Sequence, residues 1–549
     1  NNYYGAFFQD DWRIRPNLTI GYGLRYERET VVDDNNNFGP RFSVAWNPFP
    51  KGDKTVVRFG AGIFYNRVLL RTIDDFTSGS QQLTFNSASL NLPAGTTVTG
   101  AVLRDFLTAQ FPNRLALDTR VPVNATQSFT VEQLSRSGNV FRSIEDDIKI
   151  PESYQFNVGF ERELFKGIVF ETNLTYNKTV HLWREYNPNA PVLPANTPDR
   201  DGDGEATFTD YLLGNPAGIS TFVLGSRTDN VGLAGAGGTG TCAGATANCV
   251  VNLNTLNNNN NFGNCVNANG GLASNTPLCR ASLAINNLRA GFSQGLFGQQ
   301  ERVASIGNSR YVGATFELRN RYRQFGSGFG GSMRFVYTLS KLEDDGIVNT
   351  SEATVPGDFS REFSRSLLDR RHRIAFSGTF DTPNYLGGLR FSPIFRFGSS
   401  APFNLSAGGN DRNLDDISND RPDFSGSLND IVFRNPGTGF EESLYNQFTF
   451  APIGSPGNLP RNAGKGPRYY IFDLNVSRQF KFGERFRLRP SVEIGNVFNM
   501  TVYSYGSSFI DFGALIDPNT ITTLNDRAAQ VLRNQTIREG FLVPQRAYR

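Results

Sequence analysis

The chain has 549 residues, of which 38% are hydrophobic and 19% are charged, and its formal net charge at pH 7 is only +3. Aromatic residues are abundant, with 47 Phe and 19 Tyr, whereas Met and His occur twice each. The small net charge, without basic segments interleaved with aromatic residues, argues against nucleic-acid binding, and the lack of an apolar run of about 18 residues argues against a membrane helix.

Segments with a two-residue hydrophobic period dominate the chain. In Leu18–Glu27, for example, Leu, Ile and Tyr occupy one face, while Thr, Gly, Arg and Glu occupy the other. A lipid-facing side and a water-filled lumen explain both faces, whereas a soluble sandwich rarely combines them. Twelve strands are predicted in chain order: Tyr3–Arg13, Leu18–Glu27, Pro40–Asn47, Lys54–Tyr65, Tyr154–Leu164, Ile168–Asn177, Ser309–Tyr322, Gly330–Lys341, His372–Thr382, Leu389–Gly398, Tyr469–Phe480 and Arg485–Asn496.

The connections between these strands alternate strictly between short and long. The short ones are Ile14–Asn17, Pro48–Asp53, Phe165–Gly167, Arg323–Phe329, Pro383–Gly388 and Lys481–Glu484. The long ones are Arg28–Gly39, Asn66–Ser153, Lys178–Asn308, Leu342–Arg371, Ser399–Arg468 and Val497–Glu539. Tight periplasmic turns and long external loops are typical of outer-membrane proteins. We therefore predict an all-β fold, a transmembrane antiparallel β-barrel with long extracellular loops.

A short helix and a closing strand are expected outside this pattern, and the first residues of the chain also lead to a prediction. Val102–Phe111 is predicted to form a short helix within a long loop. A closing strand is expected after the last long loop, and Gly540–Tyr548 is either a shortened form of it or precedes it. No signal peptide opens the chain, which begins in mid-pattern at Asn1, so we interpret it as a fragment or processed product with an upstream targeting segment.

Short motifs on these strands, taken together and in order, resemble those of TonB-dependent receptors, especially the Oar-like group. The resemblance covers the strands from end to end, while the long loops match poorly. The motifs are Tyr4–Trp12, Leu18–Thr19, Gly23–Glu27, Phe38–Phe42, Gly62–Tyr65, Tyr337–Lys341, Leu368–Arg373, Asn419–Pro422 and Glu493–Asn499, the last resembling the penultimate strand of that family.

The resemblance implies a 22-stranded barrel, plugged by an N-terminal domain and energised through TonB. Residues 1–549 would then be the second half of the barrel, with the plug, the TonB-contacting segment and the first strands expected upstream. The implied partners are outer-membrane lipid, TonB through that upstream region, an unknown extracellular ligand and a possible surface lipoprotein. A large barrel with a plugged lumen agrees with general barrel geometry.

The long loop at residues 178–308 contains a motif with calcium-loop spacing. Asp199, Asp201 and Asp203 alternate along the chain, Glu205 offers its backbone carbonyl, and Asp210 stands at the twelfth position. Gly204 permits the sharp turn, and the short final Asp resembles dockerin-type loops more than EF-hands. We predict a structural calcium ion that stiffens this loop; a solvated acidic loop is the alternative. A weaker candidate is the acidic stretch at residues 411–416, which lacks the glycine.

All four cysteines, Cys242, Cys249, Cys265 and Cys279, lie in the same loop. An oxidising exterior favours disulfides, and three pairings are possible. Neighbour pairing, Cys242–Cys249 with Cys265–Cys279, is preferred because it closes the shortest loops. Zinc is the alternative, but neither a CxxC spacing nor a nearby His supports it.

Other familiar patterns do not indicate an enzyme. Gly235–Gly240 contains a GxGxxG string without a surrounding βαβ unit, so we interpret it as loop. His372 stands at a predicted strand start, where a position at the membrane interface is expected rather than catalysis. Trp12, Trp46 and Trp183 lie near predicted strand ends, as in an aromatic girdle, although ordinary packing is also open.

Three functions remain open at this point. The first is a TonB-dependent receptor and transporter that takes up a large or scarce ligand through the outer membrane. The second is an outer-membrane surface or adhesion protein on the same scaffold. A soluble β-rich enzyme is the third and weakest hypothesis. No catalytic residues are predicted, and the ligand-binding residues are unknown.

Overall fold

The structure of the protein is a computed structural model. It describes residues 1–49, 54–77, 96–113, 115–116, 118–131, 141–165, 167–199, 204, 206–208, 210–211, 222–225, 249–252, 283–291, 300–406, 413, 415–417, 419–432, 447–449, 451, 455–505, 509–512, 535–537 and 541–546.

Twelve strands of the described chain form one continuous antiparallel sheet. In order they are β1 (Tyr3–Arg15), β2 (Leu18–Glu29), β3 (Phe38–Trp46), β4 (Thr55–Tyr65), β5 (Glu152–Phe165), β6 (Ile168–Tyr186), β7 (Gln300–Gln324), β8 (Gly330–Asp344), β9 (His372–Asp381), β10 (Leu389–Gly398), β11 (Tyr469–Arg478) and β12 (Ser491–Ile494). Each strand pairs with its neighbour in sequence, so sheet order equals chain order. This is the up-and-down connection of an outer-membrane barrel.

The register of the sheet separates apolar and polar residues onto opposite faces. Across β4 to β8 one row of partners is Phe59, Val158, Leu174, Ala314 and Leu339. The adjacent row, on the other face, is Arg58, Gly159, Asn173, Thr315 and Thr338. Successive strand residues point to opposite faces, so the first row defines a lipid face and the second a lumen face.

The short connections between strands all lie at one end of the sheet, as predicted. One of them is the tight turn between β5 and β6, where Gly167 has φ +81°. A left-handed conformation of this kind favours glycine, and the Gly167 amide donates to Glu163 Oε1 at 2.8 Å. The long connections leave from the opposite end, which we call the outer end.

The remaining elements lie mostly in the long connections. Among the described residues, helices with printed bounds include α1 (Leu70–Thr77) and α2 (Gly100–Gln110), and α2 confirms the predicted helix. In the same part of the chain, 3-10 helices occur at Gly326–Gly328, Ser360–Glu362 and Asn384–Leu386. Short strands of the described chain are Arg120–Pro122, Ser128–Thr130, Phe141–Ile144, Phe222–Gly225, Cys249–Asn252, Ser364–Arg365, Pro402–Ser406, Asp423–Phe424, Phe448–Thr449, Gly464–Lys465, Phe480–Phe482, Phe486–Leu488, Val502–Tyr505, Phe509–Phe512, Gln535–Ile537 and Phe541–Arg546.

The apolar core of the described chain lies at the outer end rather than in the sheet. One cluster packs Ile73 and Phe76 of α1 against Val32, Trp183 and Val303. A second cluster places Leu103 of α2 on three buried valines, Val121, Val123 and Val131. Burying a side chain of this size stabilises a fold by about 1.5–3 kcal/mol. The long connections therefore have ordered cores of their own, while the sheet offers its apolar face to lipid.

Three strand predictions need correction. The strands β6 and β7 pair beyond the predicted limits, so β6 continues to Tyr186 and β7 already starts at Gln300. The predicted strand Arg485–Asn496 is interrupted at Pro490, which has no amide hydrogen for the ladder. Near the chain end, where a closing strand or its shortened form is expected, Phe541–Arg546 forms a short strand that pairs with Val502–Tyr505.

Candidate functional site

Charged side chains form a ladder across the lumen face of β4 to β8. Arg58 Nη1 lies 2.8 Å from Glu161 Oε2, and Glu161 Oε1 accepts a hydrogen bond of 3.0 Å from Arg319 Nη2. Farther along the sheet, Glu317 Oε2 accepts a 2.7 Å hydrogen bond from Arg334 Nη2. Because Arg319 Nη1 is 3.8 Å from Glu317 Oε1, the two halves are continuous. The ladder makes the lumen face polar at membrane depth.

A depression of about 420 Å³ lies on the lumen face of β1 to β6. Glycines form part of its floor, and Asp11, Arg41, Ser43 and Asn157 are among its polar residues. A Cβ atom at Gly21 would lie 2.5 Å from Ser43 Oγ and 2.6 Å from Asp11 Oδ1. The absence of a Cβ atom at Gly21 therefore leaves room for the ends of these two polar side chains on the floor of the depression.

A larger depression of about 800 Å³ lies at the other edge of the sheet, on β10 to β12. Its charged residues are paired or hydrogen bonded: Arg396 Nη2 lies 3.1 Å from Asp473 Oδ2, and Asn475 Nδ2 donates to Glu493 Oε1 at 3.1 Å. Ile394 adds an apolar patch. Both depressions present mixed hydrogen-bonding groups to the lumen, which suits contact with a polar solute or protein surface.

A buried ion pair connects two long connections at the outer end. Arg421 donates from Nη1 to Glu362 Oε2 at 2.8 Å and from Nη2 to Oε1 at 3.0 Å, and both side chains are at most 3% exposed. Arg421 Nε also donates to the Leu459 carbonyl, and Thr354 Oγ1 donates to Glu362 Oε1. Burial raises the pKa of Glu362, but Arg421 and Thr354 outweigh it and hold the pKa below its ordinary value.

A second buried pair attaches the end of β6 to the connection after β8. Arg184 Nε donates to Asp345 Oδ1 at 2.8 Å, and Arg184 Nη2 donates to the Gly346 carbonyl at 2.8 Å. Burial lowers the pKa of Arg184 and raises that of Asp345 despite their mutual attraction. Desolvation thus outweighs attraction here, as is common for buried pairs. The pair fixes the geometry of the connection more than it stabilises it.

Three glutamates meet beside these pairs: Glu185, Glu301 and Glu352, which we call the glutamate cluster. The backbones of Glu185 and Glu352 form a parallel β-bridge, and Arg142 Nε donates to Glu301 Oε2 at 2.5 Å. Burial and the charges of the other two glutamates raise the pKa of Glu185 well above its ordinary value. Burial and Glu301 raise the pKa of Glu352 to about 7. Arg142 lowers the pKa of Glu185, but burial and the repulsion among the carboxylates outweigh it, so the folded protein favours the protonated forms of Glu185 and Glu352 more than solvent does.

Only part of the predicted calcium loop lies among the described residues. Asp199 Oδ2 accepts a 3.0 Å hydrogen bond from the amide of Gly204, whose φ is +94°. Asp210 is buried, and its Oδ2 accepts from the amide and hydroxyl of Thr207 at 2.8 and 3.0 Å. Asp201, Asp203 and Glu205 lie outside the described residues, as do Gly235–Gly240, so the calcium site stays a prediction.

The predicted disulfides also stay predictions. Cys242, Cys265 and Cys279 lie outside the described residues, and only the backbone of Cys249 is described, in a short parallel strand pair. In the weaker acidic stretch, Asp416 is instead bound by Arg289, whose Nη1 and Nη2 donate to it at 2.5 and 2.8 Å. Asp411 is not described.

The aromatic predictions divide into two outcomes. Trp12 and Trp46 are 59% and 44% exposed near the short-turn end of the lipid face, as in a girdle. Trp183 is only 2% exposed, and its Nε1 donates to the Lys149 carbonyl at 2.7 Å, so it packs in the loop core instead. His372 is exposed at the start of β9, where Nδ1 lies 2.9 Å from the Tyr337 hydroxyl.

The ion pairs of the outer end were missed from sequence because their partners are distant along the chain. Arg421 lies in a motif that was recognised, but Glu362 is 59 residues away. The Arg184–Asp345 pair spans 161 residues. One ion pair of this region does lie close in sequence. Asp369, in the motif Leu368–Arg373, is bound at 2.8 Å by Arg365, which lies four residues earlier in the chain.

A meandering antiparallel sheet with one apolar face, one charged face and long connections at one end defines the wall of a membrane barrel. The family model of an outer membrane beta barrel domain matches residues 1–37 and 27–530, and the chain belongs to this family. It is therefore an outer-membrane protein. Among the described residues, none of the helices has the length and apolar character needed to cross a membrane.

Solved structures of outer-membrane transporters align with most of the chain at low identity. The outer membrane transporter YddB from Escherichia coli aligns with 91% of this chain and 42% of its own, at 10% identity and a TM-score of 0.42. The FrpB iron transporter from Neisseria meningitidis aligns with 91% of this chain and 41% of its own, at 10% identity and a TM-score of 0.35. The chain thus spans less than half the length of these two structures. No curated protein sequence matches it.

Proposed function

We propose that the protein is a TonB-dependent receptor of the Oar-like group, which takes up a ligand too large or too scarce for a porin. The motifs of the strands support this assignment. Several lie at structurally demanding places: Arg421 is in the buried pair with Glu362, and Asn496, at φ +48°, exchanges two hydrogen bonds with Met500. The uptake of a substrate and the interaction with TonB both belong to this proposal.

The observation that carries the proposal is the charged ladder on the lumen face. A lumen lined with paired charges at membrane depth suits a barrel that encloses a hydrated protein plug or a polar solute. A purely adhesive protein would need only its external loops. The ordered outer end, with its own apolar clusters, then serves as the surface that captures the ligand before passage.

Depletion of compounds from growth medium tests this function. Cells that carry the full-length protein are expected to remove at least one medium component, measured by mass spectrometry of spent medium. Cells lacking the protein or lacking TonB are expected to leave the same component in place. Loss of surface attachment without any TonB-dependent depletion would instead favour the adhesion protein.

We also propose a structural calcium ion in the loop at residues 199–210. In the full-length protein, Asp201→Ala is expected to increase the rate of loop proteolysis in calcium about tenfold, because the metal stabilises only the folded loop. Gel analysis of timed digests, with and without a chelator, measures this rate. Asp229→Ala removes a carboxylate from the same loop outside the motif and should change nothing. Equal protection of wild type with and without calcium would contradict the proposal.

A further inference from the structure

A row of basic side chains lies on the lipid face where the strands approach the outer end. The register places Lys178 of β6 directly opposite Arg310 of β7, and Arg310 opposite Glu343 of β8. Lys341 lies on the same face, one pair lower. Glu343 is shared, since both Arg310 Nη2 and Lys341 Nζ lie 2.5 Å from it. Glu152, which lies on the same face towards the outer end, is bound by neutral tyrosine hydroxyls. Three cations and two carboxylates leave one net positive charge on this face.

The level of this row corresponds to the outer surface of the membrane. Lys178 is the eleventh residue of β6, counted from Ile168 beside the short turn. A tilted strand crosses the hydrocarbon in about 9–11 residues. The aromatic residues Phe156 and Tyr176 form the pair immediately below it, at the depth of an interfacial aromatic belt.

The pairing of Lys178 with Arg310 is unfavourable within the protein alone. Like charges directly opposite one another destabilise a strand pair. Glu343 is already shared by two cations, and among the described residues no carboxylate oxygen lies within 4.0 Å of Lys178 Nζ. An anion outside the protein chain would relieve this repulsion.

A groove of about 580 Å³ opens beside Lys178 on the same face. Tyr154, Phe156 and Tyr176 line it, so that an apolar surface leads down from the lysine towards the membrane interior. The carboxylate in its wall, Glu152, is held by the Tyr154 hydroxyl at 2.8 Å and the Tyr65 hydroxyl at 3.3 Å.

His181 forms the outer limit of the groove, with Nδ1 at 3.7 Å from Glu152 Oε1 and a left-handed φ of +58°. The register between β6 and β7 shifts nearby, between Gly307 and Ser309. This irregularity interrupts the regular pairing of β6 and β7 at the point where the groove opens.

We propose that this surface binds a phosphate-bearing lipid of the outer leaflet. Its phosphate lies between Lys178 and Arg310, and an acyl chain follows the groove over Phe156 and Tyr176. The charge is complementary, and the groove is continuous with the lipid face. The site is independent of any solute that passes through the lumen, because it faces the opposite side of the sheet.

Native mass spectrometry of the full-length protein in a non-ionic detergent tests this site. The probes are lipid A, which carries two phosphates, and monophosphoryl lipid A. The double variant Lys178→Gln/Arg310→Gln is expected to bind lipid A about 30-fold more weakly, since each basic residue near a membrane surface contributes about a factor of five. Loss of one lipid phosphate should weaken binding to the wild-type protein about fivefold.

A matched control removes two cations from the same face at the other end of the sheet. Arg162→Gln/Arg478→Gln should retain lipid A affinity within about twofold. If this variant loses as much affinity as the first, or if the first loses none, the site is wrong. Displacement of lipid A by inorganic phosphate alone would also overturn it, because the ligand would then be free phosphate.

Folding is checked by heat-dependent migration on gels. Should Lys178→Gln/Arg310→Gln not fold, the charge-conserving Lys178→Arg/Arg310→Lys variant decides. Full lipid A affinity in that variant, together with the expected discrimination by phosphate number, supports the site, and loss of affinity overturns it.

Discussion

Replacement of Arg421 by alanine is expected to unfold the outer-end connections locally while the sheet remains intact. The substitution leaves the carboxylate of Glu362 buried and without its guanidinium partner. Removing one member of a buried pair costs about 3–5 kcal/mol. Hydrogen exchange of the full-length protein in detergent, read on peptides from residues 351–369, should accelerate by about 100-fold or more.

A double variant without either charge distinguishes the contribution of the ion pair from the cost of leaving one buried charge without its partner. Arg421→Met/Glu362→Leu should recover most of the protection, because apolar residues of similar volume can replace a buried pair. The exposed pair Arg71–Asp75 on α1 offers a control, since its side chains are 85% and 46% exposed. Arg71→Ala should change protection by about 1 kcal/mol or less. Unchanged exchange in Arg421→Ala would show that the pair does not hold the connections together.

The strands could be predicted from the sequence because their signal is local. A two-residue period requires only one lipid face and one lumen face, and the register confirms both across β4 to β8. Pro490 shows the limit: the two-residue period continues through it, but the missing amide hydrogen interrupts the ladder, which resumes at Ser491. The extension of β6 to Tyr186 was also missed, because strand pairing above the membrane no longer needs an alternating pattern.

The outer end could not be predicted because its interactions join distant parts of the chain. The position of Trp183 near a strand end left both a girdle and ordinary packing open, and the structure shows packing, in one cluster with Ile73 and Phe76 of α1. No local sequence pattern predicts that Glu185, Glu301 and Glu352 lie close together, because they belong to three separate segments of the chain. The calcium motif is the opposite case: its spacing is local, and its geometry stays a prediction.

The packing of the outer end is expected to weaken as pH rises from about 5 to 8. In the folded protein the pKa of Glu352 is raised to about 7, chiefly by burial and then by Glu301, whereas an exposed glutamate titrates near 4.3. Between these two pKa values, Glu352 is deprotonated in the unfolded segment and protonated in the folded one. The stabilisation is therefore complete below about pH 4.3 and is lost as pH rises through 7. Glu185, raised for the same reasons, acts in the same direction.

Hydrogen exchange on peptides around residues 300–306 and 351–355 measures this effect, after correction for the intrinsic pH dependence of exchange. Wild-type protection should fall by about tenfold or more between pH 5 and pH 8, because each pKa unit corresponds to about 1.4 kcal/mol. Glu352→Gln keeps a neutral side chain of the same shape, so its protection should vary less with pH and exceed that of wild type at pH 8. Asp146→Asn removes an exposed carboxylate four residues after Arg142 in the chain and should leave the wild-type profile unchanged. Protection that rises with pH would show that these glutamates are ionised and paired in the folded protein, because a depressed pKa reverses the sign of the linkage.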